Sequence, residues 1–256
     1  MARQARKLSD TGIYHVVFRG VNRCHLFEEH DDFEKLLDLI ARVKAELLLE
    51  VYAYCLLDNH VHLLIKEQAP GDIVRAMRKL LTPYAYWFNR KYLRSGALIA
   101  NRYRSECVES DEYLLTLIRY IHQNPLAAGI TNRIDDYRYS SFCDYAKRRG
   151  ELVDTSFVLG MFADDETKAK RLFSQFHNVE DQTDCSLPDK VGKSENQVRA
   201  EIADALGGLR PSDLAGLPRQ ERDAVLALLR KQGLSIRQIE RTTGISRGIV
   251  ARCYKA

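Results

Sequence analysis

The stretch CLLDNHVHLLIKE, at residues 55–67, contains two histidines separated by one valine. Because side chains alternate between the two faces of a β-strand, His60 and His62 are expected side by side on one face. Two neutral imidazoles placed in this way can bind a divalent metal ion and leave coordination positions open for phosphate oxygens. The alternative is that both histidines are solvated on an open sheet face, since this spacing also occurs by chance.

A tyrosine and an asparagine stand four residues apart in YLLTLIRYIHQNPLAAGI, at residues 113–130. Tyr120 and Asn124 therefore share one face of the predicted helix, and Pro125 is expected to place Asn124 at the helix end. A tyrosine oxygen can attack phosphorus, and an amide oxygen can be a further metal ligand. Together with the two histidines, these residue types indicate phosphoryl transfer. Two alternatives stay open, because Tyr113 lies on nearly the same face and Asn124 can simply terminate the helix.

Basic residues are unevenly distributed along the chain. Residues 73–105 contain eight lysines or arginines and no acidic residue, although the whole chain has a net charge of only +4. The aromatic residues interleaved with them are Tyr84, Tyr86, Trp87, Phe88, Tyr92 and Tyr103. Basic groups attract phosphates and exposed rings stack on unpaired bases, which favours a nucleic-acid partner. The alternative is an amphipathic helix with its aromatic residues in the core, which we expect for Trp87 and Phe88, but a merely solvated helix face usually mixes charges.

The bulk composition is that of an ordinary folded protein. With 256 residues, 45% of them hydrophobic, the chain can form one large domain or two smaller ones. It begins with the polar, basic stretch MARQARKLSD, and no apolar stretch follows that would serve as a signal peptide or a membrane span. The six cysteines are scattered without paired spacing, which favours reduced thiols in a cytoplasm over disulfides or a zinc site.

Hydrophobic periodicity predicts the elements that hold these residues. Residues 12–21 alternate as a strand does, and Asp32 is expected to open a helix. Two strands joined by a tight turn at residues 58–59 contain the histidines. A second helix begins near Asp72, and Pro83 is expected to kink or break it.

The remaining elements define the fold class. Residues 100–109 are predicted as a strand, and Ser110 is expected to cap the helix that follows. The order of strand, helix, two strands, helix, strand and helix predicts an α+β fold, with a ferredoxin-like antiparallel sheet and helices on one face. Two further helices are expected between residues 155 and 177. The chain then turns polar, so we predict a first domain at residues 1–178, a linker at 179–194 and a small all-α domain at 195–256.

The tail has the pattern of a helix-turn-helix in LSIRQIERTTGISRGIVARC, at residues 234–253. Ser235 and Gln238 are expected to form a capping box, with Gly244 at the turn and Ser246 capping a second helix. Apolar residues that such a pair buries are present at Ile239, Ile245 and Val250.

The charge of the tail is consistent with DNA binding. Residues 193–256 carry 12 basic and 7 acidic residues, an excess of +5. Arg247 and Arg252 would face a DNA major groove if the helix pair binds as a helix-turn-helix does. Glu240 stands where a small residue is usual, and the alternative is a small helical bundle for protein contacts.

The motifs DNHVHLL and RYIHQNPLAAGI together resemble those of the His-hydrophobic-His (HUH) single-tyrosine transposases of insertion sequences. The closer similarity is to the REP-associated tyrosine transposases, whose recurrent blocks resemble GIYHVVFRGVNR, YWFNRKYLRSG, NRYRS and DYRYSSF in this chain. The resemblance covers about residues 8–178. From about Asn196, the tail resembles the DNA-binding domain of the replication initiator DnaA, which some of these transposases append.

The resemblance implies a role for individual residues. His60, His62 and Asn124 would be ligands of a divalent metal, magnesium or manganese, and Tyr120 would be the nucleophile. The implied reaction cuts single-stranded DNA, leaves a 5′-phosphotyrosine link and a free 3′-hydroxyl, and serves DNA transposition or the processing of repeat hairpins. The family often has SGHLF where this chain has SGALIA, at residues 95–100, so hairpin recognition is expected to differ there.

The resemblance also implies partners and a location. Single-stranded or hairpin DNA and flanking duplex DNA are the expected partners, with no membrane, in a bacterial cytoplasm at the nucleoid, and a homodimer is left open. The candidates for holding the DNA backbone are Arg19, Arg23, Arg102 and Arg104.

Two rival functions remain. Nucleotidyl hydrolases use a His-x-His-x-His motif, but Leu64 occupies the third position here. The second rival is a DNA-binding transcriptional regulator that keeps a catalytically retired nuclease fold. The presence of His60, His62 and Tyr120 favours the active enzyme.

Overall fold

A computed structural model describes residues 7–147, 152–179, 185, 187, 195–207, 210–232 and 234–253. The chain divides into two compact units, Met1–Leu187 and Pro188–Ala256. The linker expected at residues 179–194 lies almost wholly outside the described residues, so the predicted domain boundaries stay predictions. None of the described helices is long and apolar enough to cross a membrane.

Within its described residues, the first unit is built on a four-stranded antiparallel sheet, whose strands lie in the order Glu50–Leu57, His60–Lys66, Ile13–Arg19 and Arg104–Cys107. Its elements are β1 (Ile13–Arg19), α1 (His30–Leu47), β2 (Glu50–Leu57), β3 (His60–Lys66), α2 (Asp72–Lys91), β4 (Arg104–Cys107) and α3 (Asp111–Ala127). Shorter helices follow, namely α4 (Phe142–Lys147), α5 (Thr155–Gly160) and α6 (Glu166–His177). The order of elements and strands up to β4 is that of a ferredoxin-like fold, which confirms the predicted fold class.

Polar side chains set the starts of two helices. α1 begins at His30, two residues before the predicted start, because the Asp32 carboxylate accepts hydrogen bonds from the backbone N–H groups of Glu28 and Glu29. α3 begins after Ser110 as predicted, where the serine hydroxyl accepts from the backbone N–H of Tyr113 at 3.2 Å.

Helices α1 and α2 cover one face of the sheet. Their apolar stripes pack around Leu63 and Ile65 of β3, with the helix side chains of Ile40, Val43, Ala76, Met77 and Leu80. Full burial of an aliphatic side chain of this size contributes roughly 1.5–3 kcal/mol, so this layer is a major source of stability.

Helix α3 covers the opposite face. The five central residues of β3 are all buried, although alternate residues point to opposite faces, so both faces must be covered. The ring of Tyr120 on α3 lies 5.7 Å from the ring of His62, which places this helix on the histidine face. The expectation of helices on one face therefore holds for α1 and α2 but not for α3. With α3 on the opposite face, the sheet is the middle of three layers.

Pro83, which was expected to kink or break α2, does not end the helix. The helix runs from Asp72 to Lys91 with the proline inside it. Leu80, Tyr84 and Phe88 are each 3% exposed or less, and lie before and after the proline on the same side of the helix. Their packing compensates for the backbone hydrogen bond that a proline cannot donate.

Pro125 likewise lies inside α3, so the prediction that Asn124 ends the helix is wrong. The helix continues to Ala127, and the backbone N–H of Ala128 donates to the carbonyl of Asn124 at 2.9 Å. Pro125 is buried, and this packing offsets the loss of its backbone donor.

The second unit is all-α in its described residues. Its helices are α7 (Glu195–Ala205), α8 (Arg219–Lys231), α9 (Ile236–Thr243) and α10 (Arg247–Arg252). Ser235 and Gln238 form the predicted capping box, and Gly244 ends α9 with a φ of 74°, a conformation that favours glycine. The predicted apolar residues are at most 5% exposed, namely Ile239, Ile245 and Val250. DNA binding by this helix pair stays a prediction.

Candidate active site

The β2–β3 hairpin places two histidines at the start of β3. His60 is the first residue of this strand and pairs with Leu57 across the turn. His60 is half-buried, whereas His62 is 1% exposed. The two ring centroids are 5.1 Å apart, so the histidines share one face as the alternation predicts.

A third histidine, His15 on β1, lies against His62. β1 runs beside β3 with Val17 opposite His62 and Arg19 opposite His60. Nε2 of His15 is 3.0 Å from Nδ1 of His62, within hydrogen-bond distance, and the two rings are nearly parallel with centroids 5.3 Å apart. His15 was not among the residues predicted from sequence. Alternation assigns it to the face of Val17 and Arg19, but only the β1–β3 register shows that this face adjoins His62.

Burial keeps these imidazoles neutral. His15 is fully buried, and desolvation lowers its pKa to about 4. Desolvation also lowers the pKa of His62 well below its usual value, with smaller contributions from the nearby charges of His15, His60 and Arg19. At neutral pH each ring therefore keeps a lone pair on one nitrogen, which is the form that binds a metal ion.

The nitrogens at the histidine face fit a divalent cation. Nε2 of His62 is buried and has no hydrogen-bond partner among the described residues. Leaving such an atom without a partner costs about 1–3 kcal/mol, which a bound cation would offset. Nδ1 of His60 donates to Oδ1 of Asn59 at 2.7 Å, so the lone pair of this ring is on Nε2.

A third protein ligand would be an amide rather than a carboxylate or a thiolate. In the part of the chain that the structure describes, no three histidines, cysteines or acidic residues converge to hold a metal ion. Asn124 lies one turn beyond Tyr120 on α3, and its Nδ2 donates to the Tyr120 carbonyl at 2.7 Å. The amide oxygen is then the atom of this side chain that could bind a metal ion, and magnesium and manganese both bind such oxygens.

Tyr120 approaches the histidines from α3. Its ring meets those of His62 and His15 nearly at right angles, with centroid distances of 5.7 Å and 6.4 Å. Tyr120 is half-buried at the margin of the core, so its ring is held by packing on one side. Two elements that are distant in sequence therefore bring a phenol and an unpartnered imidazole nitrogen to the same place.

Tyr113, the alternative nucleophile, is directed elsewhere. Its hydroxyl donates to the carboxylate of Glu106 on β4 at 2.9 Å. Burial and this hydrogen bond raise the pKa of Tyr113, which disfavours the phenolate form. The geometry therefore favours Tyr120 over Tyr113 as the reactive phenol.

A buried polar network anchors α3 behind the candidate site. His122 is fully buried and hydrogen-bonds through Nδ1 to Nε2 of His177 at 3.0 Å and through Nε2 to the hydroxyl of Ser141 at 2.7 Å. Nδ1 of His177 donates to the carbonyl of Phe173 at 2.8 Å, and the Ser141 hydroxyl accepts from the backbone N–H of Tyr54 at 2.9 Å. The network joins α3 to α6 and to β2, which fixes the helix that carries Tyr120.

Two of the predicted backbone-binding arginines share the histidine face, while the other two are exposed outside the sheet. Arg19 is opposite His60, and Arg104 on β4 is opposite Val17, so both are on that face. Both are half-buried, and Arg104 also donates to the carbonyl of Leu187 at 3.4 Å. The two exposed arginines are Arg23, the last residue of the short 3-10 helix Val21–Arg23, and Arg102.

The two predicted arginines of the tail are exposed on α10. Arg247 forms an ion pair with Glu240 at 2.5 Å, and Nε of Arg252 donates to the carbonyl of Gly248 at 3.2 Å. Glu240, which stands where a small residue is usual, therefore pairs with one of the proposed DNA-binding side chains.

The first unit is similar to known transposases. Residues 9–124 match the family model "Transposase IS200 like". A solved structure described as the REP-associated tyrosine transposase bound to a REP hairpin has a TM-score of 0.50 and 19% identity, covering 61% of this chain and 96% of that one. Another, a protein of Deinococcus radiodurans R1 assigned as a transposase, has a TM-score of 0.34 and 20% identity, covering 47% of this chain and 96% of that one. No curated protein sequence matches the chain.

The matched segment contains the whole candidate site. It extends from before β1 to Asn124 and so includes the three histidines and Tyr120. Transposases are DNA-cleaving enzymes, and the similarity to the hairpin-bound structure supports the same fold for this unit. Residues 9–124, slightly less than half of the chain, are thus similar to the IS200-like transposases.

Proposed function

We propose that the chain is a metal-dependent tyrosine transposase. It cuts and rejoins single-stranded DNA through a 5′-phosphotyrosine intermediate, in DNA transposition or in the processing of repeat hairpins. The observation that supports this proposal is the 5.7 Å separation of the rings of Tyr120 and His62, because a phenol then lies beside a histidine whose buried Nε2 no described residue binds.

Tyr120 supplies the nucleophile in this proposal. Its hydroxyl oxygen attacks the phosphorus of a DNA phosphodiester, a phosphorus–tyrosine oxygen bond forms, and the bond from phosphorus to the 3′ oxygen breaks. The tyrosine proton goes to solvent, and the departing 3′ oxygen takes up a proton to become a hydroxyl. Attack by another 3′-hydroxyl on the phosphotyrosine reverses these bond changes and rejoins the DNA, since a phenolate is a good leaving group.

His60, His62 and Asn124 are the proposed ligands of a magnesium or manganese ion. When bound, such an ion neutralises phosphate charge and stabilises the charge that develops on the phosphoryl oxygens. Imidazole nitrogen is a relatively soft ligand for magnesium, so manganese is expected to bind more tightly.

The proposed partner of the first unit is single-stranded or hairpin DNA. The similar solved transposase has a REP hairpin bound, and Arg19 and Arg104 of this chain share a face with the histidines. We assign these two arginines, with Arg23 and Arg102, to contacts with the DNA backbone. Phosphate contacts hold a strand in place without reading its sequence.

The second unit is proposed to bind duplex DNA beside the hairpin. Its capping box, its turn at Gly244 and its buried apolar residues fit a helix-turn-helix, with Arg247 and Arg252 exposed on α10. The role of the tail is independent of the chemistry of the first unit, so each can be tested separately.

A covalent-adduct assay tests the proposed chemistry. The full chain would be incubated with manganese and a single-stranded hairpin oligonucleotide taken from the flanks of its gene, and the products separated on a denaturing gel. DNA labelled at its 3′ end should move with the protein, and DNA labelled at its 5′ end should appear as a shortened strand without protein. This asymmetry distinguishes a 5′-phosphotyrosine link from the opposite polarity.

Tyr120→Phe should abolish the adduct while hairpin binding stays nearly unchanged, because the substitution removes one oxygen and keeps the ring. Tyr113→Phe is the matched control on the same helix and should form the adduct as the unaltered chain does. An adduct in Tyr120→Phe would show that Tyr120 is not the nucleophile. If the unaltered chain binds the hairpin tightly but never forms an adduct, the DNA-binding regulator is the better assignment.

A further inference from the structure

His15 lies in the candidate site, yet its position is not that of a third metal ligand. Its Nε2 faces Nδ1 of His62 at 3.0 Å, so this nitrogen is occupied within the protein. Its other nitrogen, Nδ1, is buried without a hydrogen-bond partner among the described residues. In agreement, His15, His60 and His62 do not converge as a three-ligand cluster in the described part of the chain.

The hydrogen bond between the two neutral rings has two alternative proton arrangements. In the first, Nδ1 of His62 carries the proton and donates to Nε2 of His15, which leaves a lone pair on Nε2 of His62. In the second, His15 donates and Nε2 of His62 carries the remaining proton, so in each arrangement one outer nitrogen, Nδ1 of His15 or Nε2 of His62, carries a proton that no described residue accepts. Only the first arrangement allows His62 to bind a cation through Nε2.

We propose that His15 is a positioning residue for the metal site, whose Nε2 accepts the Nδ1 proton of His62 and so holds the lone pair of His62 Nε2 ready for a cation. The inference rests on the proposed function, because it needs a metal ion at His60 and His62.

The neighbouring ligand has an equivalent support. Oδ1 of Asn59 accepts the Nδ1 proton of His60 at 2.7 Å, which fixes the same tautomer in the second ring. Metal-binding histidines commonly donate their other ring nitrogen to such an acceptor, which orients the ring and raises its basicity. Asn59 acts from the half-buried turn that precedes the strand, whereas His62 is buried inside the sheet, so its acceptor must come from the neighbouring strand.

The near-parallel arrangement also restrains the ring of His62. The two ring planes differ by 13°, and the hydrogen bond lies on the side of His62 opposite its proposed ligand atom. An apolar side chain at position 15 would fill similar space on the strand but would leave Nδ1 of His62 without an acceptor. The consequence would be a lower affinity for the metal rather than loss of the fold.

The test is manganese binding by the full-length chain without DNA, measured by the loss of the electron paramagnetic resonance signal of free manganese. His15→Leu removes the acceptor and should weaken manganese binding about 10–100-fold. His15→Gln places an amide oxygen near the position of Nε2 and should remain within a few-fold of the unaltered chain. Val17→Ala, on the same face directly opposite His62, is the packing control and should also bind normally.

A second measurement reports the tautomer itself. Nitrogen-15 NMR of the metal-free chain should show His62 protonated at Nδ1. The signal of His62 is assigned by its loss in His62→Asn. In His15→Leu, the proton of His62 should shift toward Nε2.

Unaltered manganese affinity in a folded His15→Leu chain overturns the inference, and so does equal weakening in His15→Gln or Val17→Ala. If His62→Asn abolishes manganese binding but His15→Leu does not, the metal site stands and only the role of His15 fails. If the unaltered chain binds no manganese, both fail.

Discussion

The two histidines among the proposed metal ligands differ in their surroundings, although they are two residues apart. His60 is half-buried at the strand end, while His62 is 1% exposed between β1 and β2. A ligand whose ring is held by neighbours on both sides loses little entropy on binding, so His62 is expected to contribute more to metal affinity than His60.

The first residue-scale prediction concerns these ligands. His60→Ala and His62→Ala should each abolish the covalent adduct, as should a chelator, because phosphoryl transfer then loses the charge of the ion. His62→Ala should also destabilise the fold, by about 1–3 kcal/mol, since it leaves a cavity and an unpartnered nitrogen on His15. The adduct assay and urea unfolding check these expectations. Full cleavage in the presence of chelator would refute the metal site.

Local spacing was sufficient to predict part of this site. The His-x-His alternation and the four-residue spacing of Tyr120 and Asn124 are properties of single elements, so they can be found by counting along the chain. His15 could not be found in this way. Its importance depends on which strand lies beside β3 and in what register, and that pairing joins residues 47 positions apart.

At the scale of elements, α3 depends on buried polar contacts as well as on its apolar stripe. His122 and His177 are both at most 2% exposed and hydrogen-bonded to each other. Desolvation lowers the pKa of His122 well below its usual value, and lowers that of His177 from 6.5 to about 4. Both are therefore neutral in the folded chain at neutral pH.

This network predicts acid sensitivity of the first unit. A histidine whose pKa is lowered by folding takes up its proton mainly in the unfolded state, so its contribution is present above about pH 6.5 and is lost as the pH falls toward 4. Between pH 7 and 5 we expect a loss of about 1–2 kcal/mol from His177. His177→Gln, which cannot titrate, should reduce the loss measured by urea unfolding, whereas the exposed control His25→Gln should not. Identical pH dependence in His177→Gln and the unaltered chain would contradict the prediction.

The order of the elements predicted the ferredoxin-like sheet. It did not predict which sheet face α3 covers, or that the helices continue through their prolines. The pattern of α3 shows an apolar stripe without showing which sheet face it covers, and that choice follows from the burial of β3 on both sides. Pro83 and Pro125 were expected to interrupt their helices, and tertiary packing overrides that local preference in both. Patterns within one element were thus predictable, and contacts between elements were not.

At the scale of the whole molecule, the proposed functions are divided between two compact units. Every proposed catalytic group lies within residues 60–124, in the first unit. The second unit carries a basic excess and two exposed arginines on α10. The first unit is therefore expected to perform the chemistry on a single strand, and the tail is expected to add affinity for the adjoining duplex.

Deleting residues 193–256 should leave adduct formation on a short hairpin oligonucleotide largely intact, and should weaken binding to hairpin DNA that carries flanking duplex. Arg247→Ala and Arg252→Ala should weaken that binding more mildly, by about 1–3 kcal/mol each if they reach base edges. Arg219→Ala, an exposed arginine on α8 that also forms an ion pair, is the matched control and should have less effect. A salt titration separates the two kinds of contact, because an arginine that touches only phosphate weakens binding equally on every sequence and makes the salt dependence shallower. If the truncated chain binds flanking duplex as tightly as the full chain, the tail is better assigned to contacts with another protein.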